Sequence, residues 1–168
     1  ACHLFGQLGQ RPPGLHIPQE NNNPVGSGLG SSSTAVLAGL LGANALVDGQ
    51  LSQADILTIA TAEEGHTDNV APALLGGLVL GVMHGDQVHI EPLPIAQQQV
   101  VVVMPDFELL THDARAALPA QISRQDAIFN ASRLPLLVRA LATAAYPQLT
   151  LAMQDRLHEP YRAELIPG

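Results

Sequence analysis

A glycine-rich segment that runs directly into an Ala- and Leu-rich stretch most constrains how this chain can fold. The segment reads Pro24-Val25-Gly26-Ser27-Gly28-Leu29-Gly30-Ser31-Ser32. The first N–H groups of a helix have no internal partner and carry a partial positive charge. Closely spaced glycines let such N–H groups approach an anion, and serines add hydroxyl ligands. The segment therefore predicts a loop that holds nucleotide phosphates at a helix N-terminus.

The spacing of this segment excludes the two commonest phosphate loops. Its third glycine comes one residue too early for G-x-G-x-x-G, and no lysine follows Gly30 as a Walker loop requires. All seven basic Lys/Arg residues of the chain are arginines. A flexible Gly/Ser linker is the alternative interpretation. The flanks argue against it, because residues 14–17 are predicted to form a strand and residues 31–47 a helix.

Three blocks of sequence resemble a known family. The segment from Pro24 to Ser32 is similar to the second motif of the GHMP kinases, P-x-x-x-G-L-G-S-S. Within that superfamily, two further blocks resemble the homoserine kinases. They read Glu64-Gly65-His66-Thr67-Asp68-Asn69-Val70-Ala71-Pro72-Ala73 and Asp155-Arg156-Leu157-His158-Glu159-Pro160-Tyr161-Arg162. The blocks occur in the family's order and span most of the chain.

The resemblance implies an α+β, two-domain GHMP kinase fold. Residues 1–96 would form the remainder of the N-terminal ATP-binding domain, which resembles domain 2 of ribosomal protein S5. Residues 97–168 would begin a ferredoxin-like C-terminal domain. The family's first and third motifs have no counterpart here, so we expect a chain truncated at both ends.

The resemblance also implies ATP and Mg²⁺ as cofactors and assigns their ligands. The nucleotide would be bound by Pro24, Val25, Gly26, Ser27, Gly28, Leu29, Gly30, Ser31, Ser32, Ser33 and Thr34. Magnesium prefers oxygen ligands and takes one or two from protein. Ser32 and Glu64 are the expected pair, and Glu63 remains an alternative to Glu64.

The implied reaction is the phosphorylation of L-homoserine by ATP, a step of threonine synthesis. His66, Asn69, Arg115 and Arg162 would bind the amino acid, and Asn69 and Arg115 would also be catalytic. Arginine suits this role because it binds carboxylates bidentately. The alternatives are another small-molecule kinase of the superfamily and a nucleotide-binding module without catalysis.

The composition of the chain excludes several classes of partner and environment. The chain has a formal charge of −8 and only 3% aromatic residues, which argues against nucleic acid as a partner. We expect no membrane segment, because no apolar run approaches about 20 residues. A single cysteine, Cys2, excludes an intrachain disulfide. We therefore expect a cytoplasmic protein, and a homodimer is left open.

Patterns elsewhere predict further elements. Ser52 and Asp55 form a capping signature for a second helix. Residues 76–80 and 87–93 read as a β-hairpin, and residues 100–104 (VVVVM) as a buried strand. Helices are predicted over residues 113–118, 126–145 and 148–158.

Overall fold

The computed structural model describes residues 2–9, 14–25, 28–85, 87–104, 107, 109 and 111–166, without the side chains of His3, Gln7 and Thr111. The chain divides into two compact units, Ala1–Leu93 and Pro94–Gly168. The boundary of the two kinase domains between residues 96 and 97 stays a prediction from the family resemblance.

The described residues of unit 1 form four helices and a hairpin. The helices are α1 (Cys2–Gln7), α2 (Ser31–Leu46), α3 (Gln53–Glu64) and α4 (Val70–Leu75), and the strands are β1 (Leu78–His84) and β2 (Gln87–Leu93). All four helices contribute to one apolar core, against which the hairpin packs Val79, Val88 and Ile90. The buried members of that core are Leu4, Phe5, Leu37, Leu40, Ala43, Val47, Ile56, Leu57, Ala60, Val70 and Ala71.

The hairpin is antiparallel and confirms the sequence prediction. Its register runs from Leu78 opposite Leu93 to His84 opposite Gln87. Gly85 occupies the turn with φ of 60°, which a glycine adopts without strain. The hairpin lies beside α4, so the residues that connect α3 to α4 are close to β1.

Helix α3 begins with the predicted capping signature and ends at a glycine. The Ser52 side chain accepts from the Asp55 backbone N–H while the Asp55 carboxylate accepts from the Ser52 N–H, which is a complete capping box. Hydrogen bonds from the Ser52 side chain and backbone lower the pKa of Asp55. Gly65 ends the helix with φ of 80°, and its N–H bonds to the Thr61 carbonyl oxygen. Glu64 therefore occupies a defined position at the last helical residue.

Two predicted strands are wrong. Residues 14–17 and 100–104 have no regular secondary structure, and Val101 and Val103 are 87% and 85% exposed. A strand requires a neighbour to take its backbone hydrogen bonds. Within the described residues, the only sheet is the hairpin of β1 and β2. High β-propensity alone is therefore insufficient to order these segments.

Unit 2 is helical in its described residues. It contains α5 (Thr111–Ala116), α6 (Arg124–Thr143), α7 (Leu149–Ala152) and α8 (Glu159–Arg162), with 3₁₀ turns at Tyr146–Gln148 and Ala163–Leu165. Helix α6 confirms the long predicted helix. The continuous helix predicted over residues 148–158 is wrong, because the Asp155 carboxylate accepts from the backbone N–H groups of Leu157, His158 and Glu159. No described helix is both long and apolar enough to cross a membrane.

Candidate functional site

The glycine loop leads into α2, whose N-cap residue makes no side-chain hydrogen bond to the first turn. Gly28 and Gly30 have φ of 74° and 72°, and Gly30 is the N-cap residue. A glycine N-cap offers no side chain to the N–H groups of the first turn. The Gly30 carbonyl oxygen accepts two hydrogen bonds of 3.0 Å, one from the Thr34 N–H and one from the Thr34 hydroxyl. The arrangement suits an anion.

The other predicted nucleotide residues lie around this helix end. Pro24, Val25 and Leu29 precede it and are exposed, and Ser31 and Ser32 form the start of its first turn. Gly26 and Ser27 lie outside the described residues.

Two asparagines brace the loop, a role that was not predicted from the sequence. Asn23 donates from Nδ2 to the Leu29 carbonyl oxygen at 3.1 Å. Asn21 accepts from the Asn23 N–H at 2.9 Å and donates from Nδ2 to Ser31 Oγ at 3.4 Å. The stretch before the loop is therefore joined to residues on both sides of Gly30. Side-chain bonds to a carbonyl six residues away leave no recognisable sequence pattern.

Glu64 joins the end of α3 to the start of α2. Ser32 Oγ donates to Glu64 Oε1 at 2.7 Å, and Ser33 Oγ donates to Glu64 Oε2 at 2.8 Å. The two serines differ in burial, since Ser32 is exposed whereas Ser33 is only 1% exposed. The predicted pair of Ser32 and Glu64 is thus brought together, and Ser33 lies behind it, directed at the carboxylate.

The donor set beside α2 fits a magnesium ion. It offers one hydroxyl and one carboxylate oxygen next to a phosphate-binding helix end, and Mg²⁺ usually takes one or two protein oxygens together with substrate phosphates. In the described part of the chain, no three His, Cys, Asp or Glu residues form a cation cage. A cation at Glu64 would therefore depend on phosphate oxygens for most of its ligands.

The segment from Gly65 to Asn69 carries two predicted substrate residues. The His66 side chain is 22% exposed, and its Nδ1 lies 2.5 Å from Asp68 Oδ1. The distance alone does not make a hydrogen bond, however, because this buried Nδ1 has no hydrogen-bond partner within the described residues. Asn69 is exposed and lies against the loop, because a Cβ built on Gly30 would lie 3.7 Å from Asn69 Cβ. Asn69 is therefore beside the start of α2.

The two predicted arginines lie close together in unit 2. Arg162, the last residue of α8, donates from Nε to the Ala114 carbonyl oxygen at 3.2 Å. Ala114 is buried in α5, and its neighbour Arg115 is exposed. A cavity of about 480 Å³ adjoins Arg162, lined by Met153, Asp155, His158, Glu159, Arg162, Ala163 and Ile166.

Asp155 positions the helix that carries Arg162. Partial burial raises the pKa of its carboxyl, but hydrogen bonds from Asn130 Nδ2 and from the N–H groups of Leu157, Glu159 and His158 outweigh burial and hold the pKa well below its usual range. Since Asn130 belongs to α6, the carboxylate links α6 to the first turn of α8. The sequence block from Asp155 to Arg162 therefore has a structural anchor at one end and an arginine at the other.

The chain resembles known proteins in sequence and in fold. Residues 1–77 match the family model of the GHMP kinases N terminal domain. The relatives are more specific: over 98% of its length the chain is 49% identical to a homoserine kinase of Picosynechococcus sp. and 43% identical to one of Carboxydothermus hydrogenoformans. The crystal structure of homoserine kinase from Cytophaga hutchinsonii matches 88% of this chain with a TM-score of 0.74 and 34% identity. The chain is thus similar to homoserine kinases over nearly its whole length, and the α+β fold class is confirmed.

The chain spans about half the length of the curated relatives it matches. It covers 54% of each of the two homoserine kinases and 49% of the crystallised chain. The family resemblance is therefore established over nearly all of this chain, and the activity of the whole protein is a matter for proposal.

Proposed function

We propose that this protein is a homoserine kinase, which transfers the γ-phosphoryl group of ATP to the hydroxyl of L-homoserine. The observation that carries this proposal is the contact of Glu64 with Ser32 and Ser33 at the open N-terminus of α2. Phosphoryl transfer depends mainly on positioning and on neutralisation of charge. An anion-binding helix end beside an oxygen-donor pair supports that chemistry.

The N-terminus of α2 would hold the nucleotide phosphates. Its first-turn N–H groups, with those of the glycine loop, are the donors, and the helix dipole favours their negative charge. Ser32 and Glu64 would hold Mg²⁺, which supplies neutralisation of the β- and γ-phosphate oxygens when bound. Ser33 is a positioning residue in this proposal, because its hydroxyl is buried against Glu64 Oε2.

By the family resemblance, four polar side chains would bind the amino acid. Asn69 is adjacent to the phosphate loop through its contact with Gly30, and His66 lies three residues before Asn69 in the same segment. Arg115 and Arg162 would bind the substrate carboxylate, which arginine recognises bidentately. Arg115 and Asn69 would also stabilise charge on the transferred phosphoryl group.

The chemical step requires no dedicated base in this proposal. The homoserine oxygen forms a bond to the γ-phosphorus, the bond to the β–γ bridging oxygen breaks, and ADP leaves. The hydroxyl proton departs to a phosphoryl oxygen or to water as the new bond forms. The chain contains no lysine, so a lysine–aspartate pair is absent from this stretch of sequence.

ADP release by the full-length protein tests the proposal. We expect release that depends on L-homoserine and is much slower with mevalonate. Arg115→Ala and Arg162→Ala should each raise the KM for homoserine by about tenfold or more, since each removes a carboxylate ligand. Arg124→Ala, at the first residue of α6, is the matched control. Tight ATP binding without homoserine-dependent release would instead indicate a non-catalytic nucleotide-binding module.

A further inference from the structure

Gly81 of β1 leaves no room for a side chain. A Cβ built there would lie 2.5 Å from Thr67 Oγ1 and 3.0 Å from Thr67 Cβ, and 3.4 Å from Ile90 Cδ1 on the paired strand. Real Cβ atoms essentially never approach another heavy atom within 3.0 Å. The Thr67 side chain therefore rests directly on the backbone of β1.

Thr67 cannot move away from this contact at little cost. Its side chain is buried, with 8% of the residue exposed, and it is β-branched, so rotation about χ1 would exchange the hydroxyl for another substituent. The Thr67 carbonyl oxygen accepts from the Ala71 N–H at 2.9 Å, which ties the residue to the start of α4. Packing and hydrogen bonding both hold Thr67 in place.

The residues around Thr67 are those proposed to bind the amino acid. His66 precedes it directly and Asn69 follows two residues later. The segment is anchored at one end by Gly65 at the end of α3 and at the other by α4. Between these anchors, the contact of Thr67 with Gly81 sets how close the segment lies to the sheet.

We propose that Gly81 and Thr67 are positioning residues for substrate binding. Their contact determines where His66 and Asn69 present their side chains, so the hairpin acts as the support of the amino-acid site. This inference rests on the proposed function and deepens it. The phosphate loop has a brace of its own in Asn23, and Glu64 binds the start of α2, so we expect a smaller effect on ATP.

Kinetics of the full-length Gly81→Ala variant test the proposal. An added methyl group displaces Thr67, so the KM for L-homoserine should rise about fivefold or more while the KM for ATP changes by less than about twofold. Adding Thr67→Ala to this variant removes Oγ1 and should return the KM for L-homoserine most of the way to its wild-type value. Gly42→Ala in α2 is the matched control, because a Cβ there meets nothing within 4 Å.

Hydrogen exchange of the segment gives a readout that does not depend on activity. Gly81→Ala should speed exchange in residues 65–71, and the double variant should return towards wild type. A lowered Tm with unchanged KM and unchanged exchange would overturn the proposal, because the contact would then be merely structural. If Gly81→Ala fails to fold, the single variant Thr67→Ala should still speed hydrogen exchange in residues 65–71. An exchange rate in Thr67→Ala equal to that of the wild type would overturn the proposal. If wild-type protein shows no homoserine-dependent turnover, the proposed function fails and exchange alone decides this inference.

Discussion

Ser33 and Glu64 lie thirty-one residues apart and meet in a hydrogen bond of 2.8 Å between Ser33 Oγ and Glu64 Oε2. The other carboxylate oxygen accepts from Ser32, so both oxygens of Glu64 are bound by α2. A carboxylate held at both oxygens has one orientation. The two hydrogen bonds therefore join the start of α2 to the end of α3 beside the phosphate loop.

Removal of the Ser33 hydroxyl should weaken the magnesium dependence of the reaction. Ser33→Ala frees Glu64 Oε2, and loss of such an outer partner typically lowers metal affinity by about 10-fold. We expect the Mg²⁺ concentration for half-maximal activity to rise by that factor, with the KM for homoserine unchanged. Thr58→Ala is the control, since that hydroxyl bonds only within α3, to the Ala54 carbonyl oxygen. An equal effect of both substitutions would contradict the orienting role of Ser33.

Asn23→Leu should weaken ATP binding selectively. The substitution removes the hydrogen bond to the Leu29 carbonyl oxygen and so releases one brace of the loop. A neutral hydrogen bond contributes about 1 kcal/mol, which predicts a rise of about fivefold in the KM for ATP. Asn22→Ala is the control for any change next to the loop, and it should leave the KM for ATP and the KM for homoserine unchanged. An unchanged KM for ATP in the leucine variant would show that the loop needs no brace.

Asp155 should make stability depend on pH in the acid range. Its pKa is lower in the folded chain than its usual value of 3.8, so its stabilising effect is fully present above that value and is lost as the pH falls through the folded pKa. Asp155→Ala should therefore lower the free energy of unfolding by about 2 kcal/mol at pH 7. The difference from wild type should shrink below about pH 4.

Urea unfolding at pH 7, 5 and 3 measures this effect. Glu164→Ala is the control, because Glu164 is an exposed carboxylate of the same unit. A difference between Asp155→Ala and wild type that stays constant down to pH 3 would mean that the Asp155 carboxylate does not act through its charge.

Local chemistry explains which parts of the fold could be predicted from sequence. The capping box of Ser52 and Asp55 and the β1–β2 hairpin depend on residues close together in the chain, and both were confirmed. The segments 14–17 and 100–104 were predicted as strands from composition, which carries no information about a partner strand. The helix predicted over residues 148–158 is broken where the Asp155 carboxylate accepts from the N–H groups that follow it, and this carboxylate is held by Asn130, 25 residues away.

The candidate site shows the same limit. The proximity of Ser32 and Glu64 followed from the family resemblance, and the structure brings these two residues together. The roles of Ser33 and Asn23 depend on burial and on side-chain direction, which no residue spacing reveals. The contact of Thr67 with Gly81 crosses from a loop to a strand, so only the folded backbone shows that a side chain at residue 81 has no space.

Homoserine-dependent ADP release by Glu64→Gln, with Glu63→Gln as its matched neighbour, tests the central claim most directly. The claim is that the Glu64 carboxylate, held against Ser32, neutralises the phosphates through a bound cation. We predict that Glu64→Gln lowers kcat/KM by about 100-fold or more and that Glu63→Gln changes it by less than about threefold. Wild-type kinetics in Glu64→Gln, or a loss in Glu63→Gln alone, would contradict the claim.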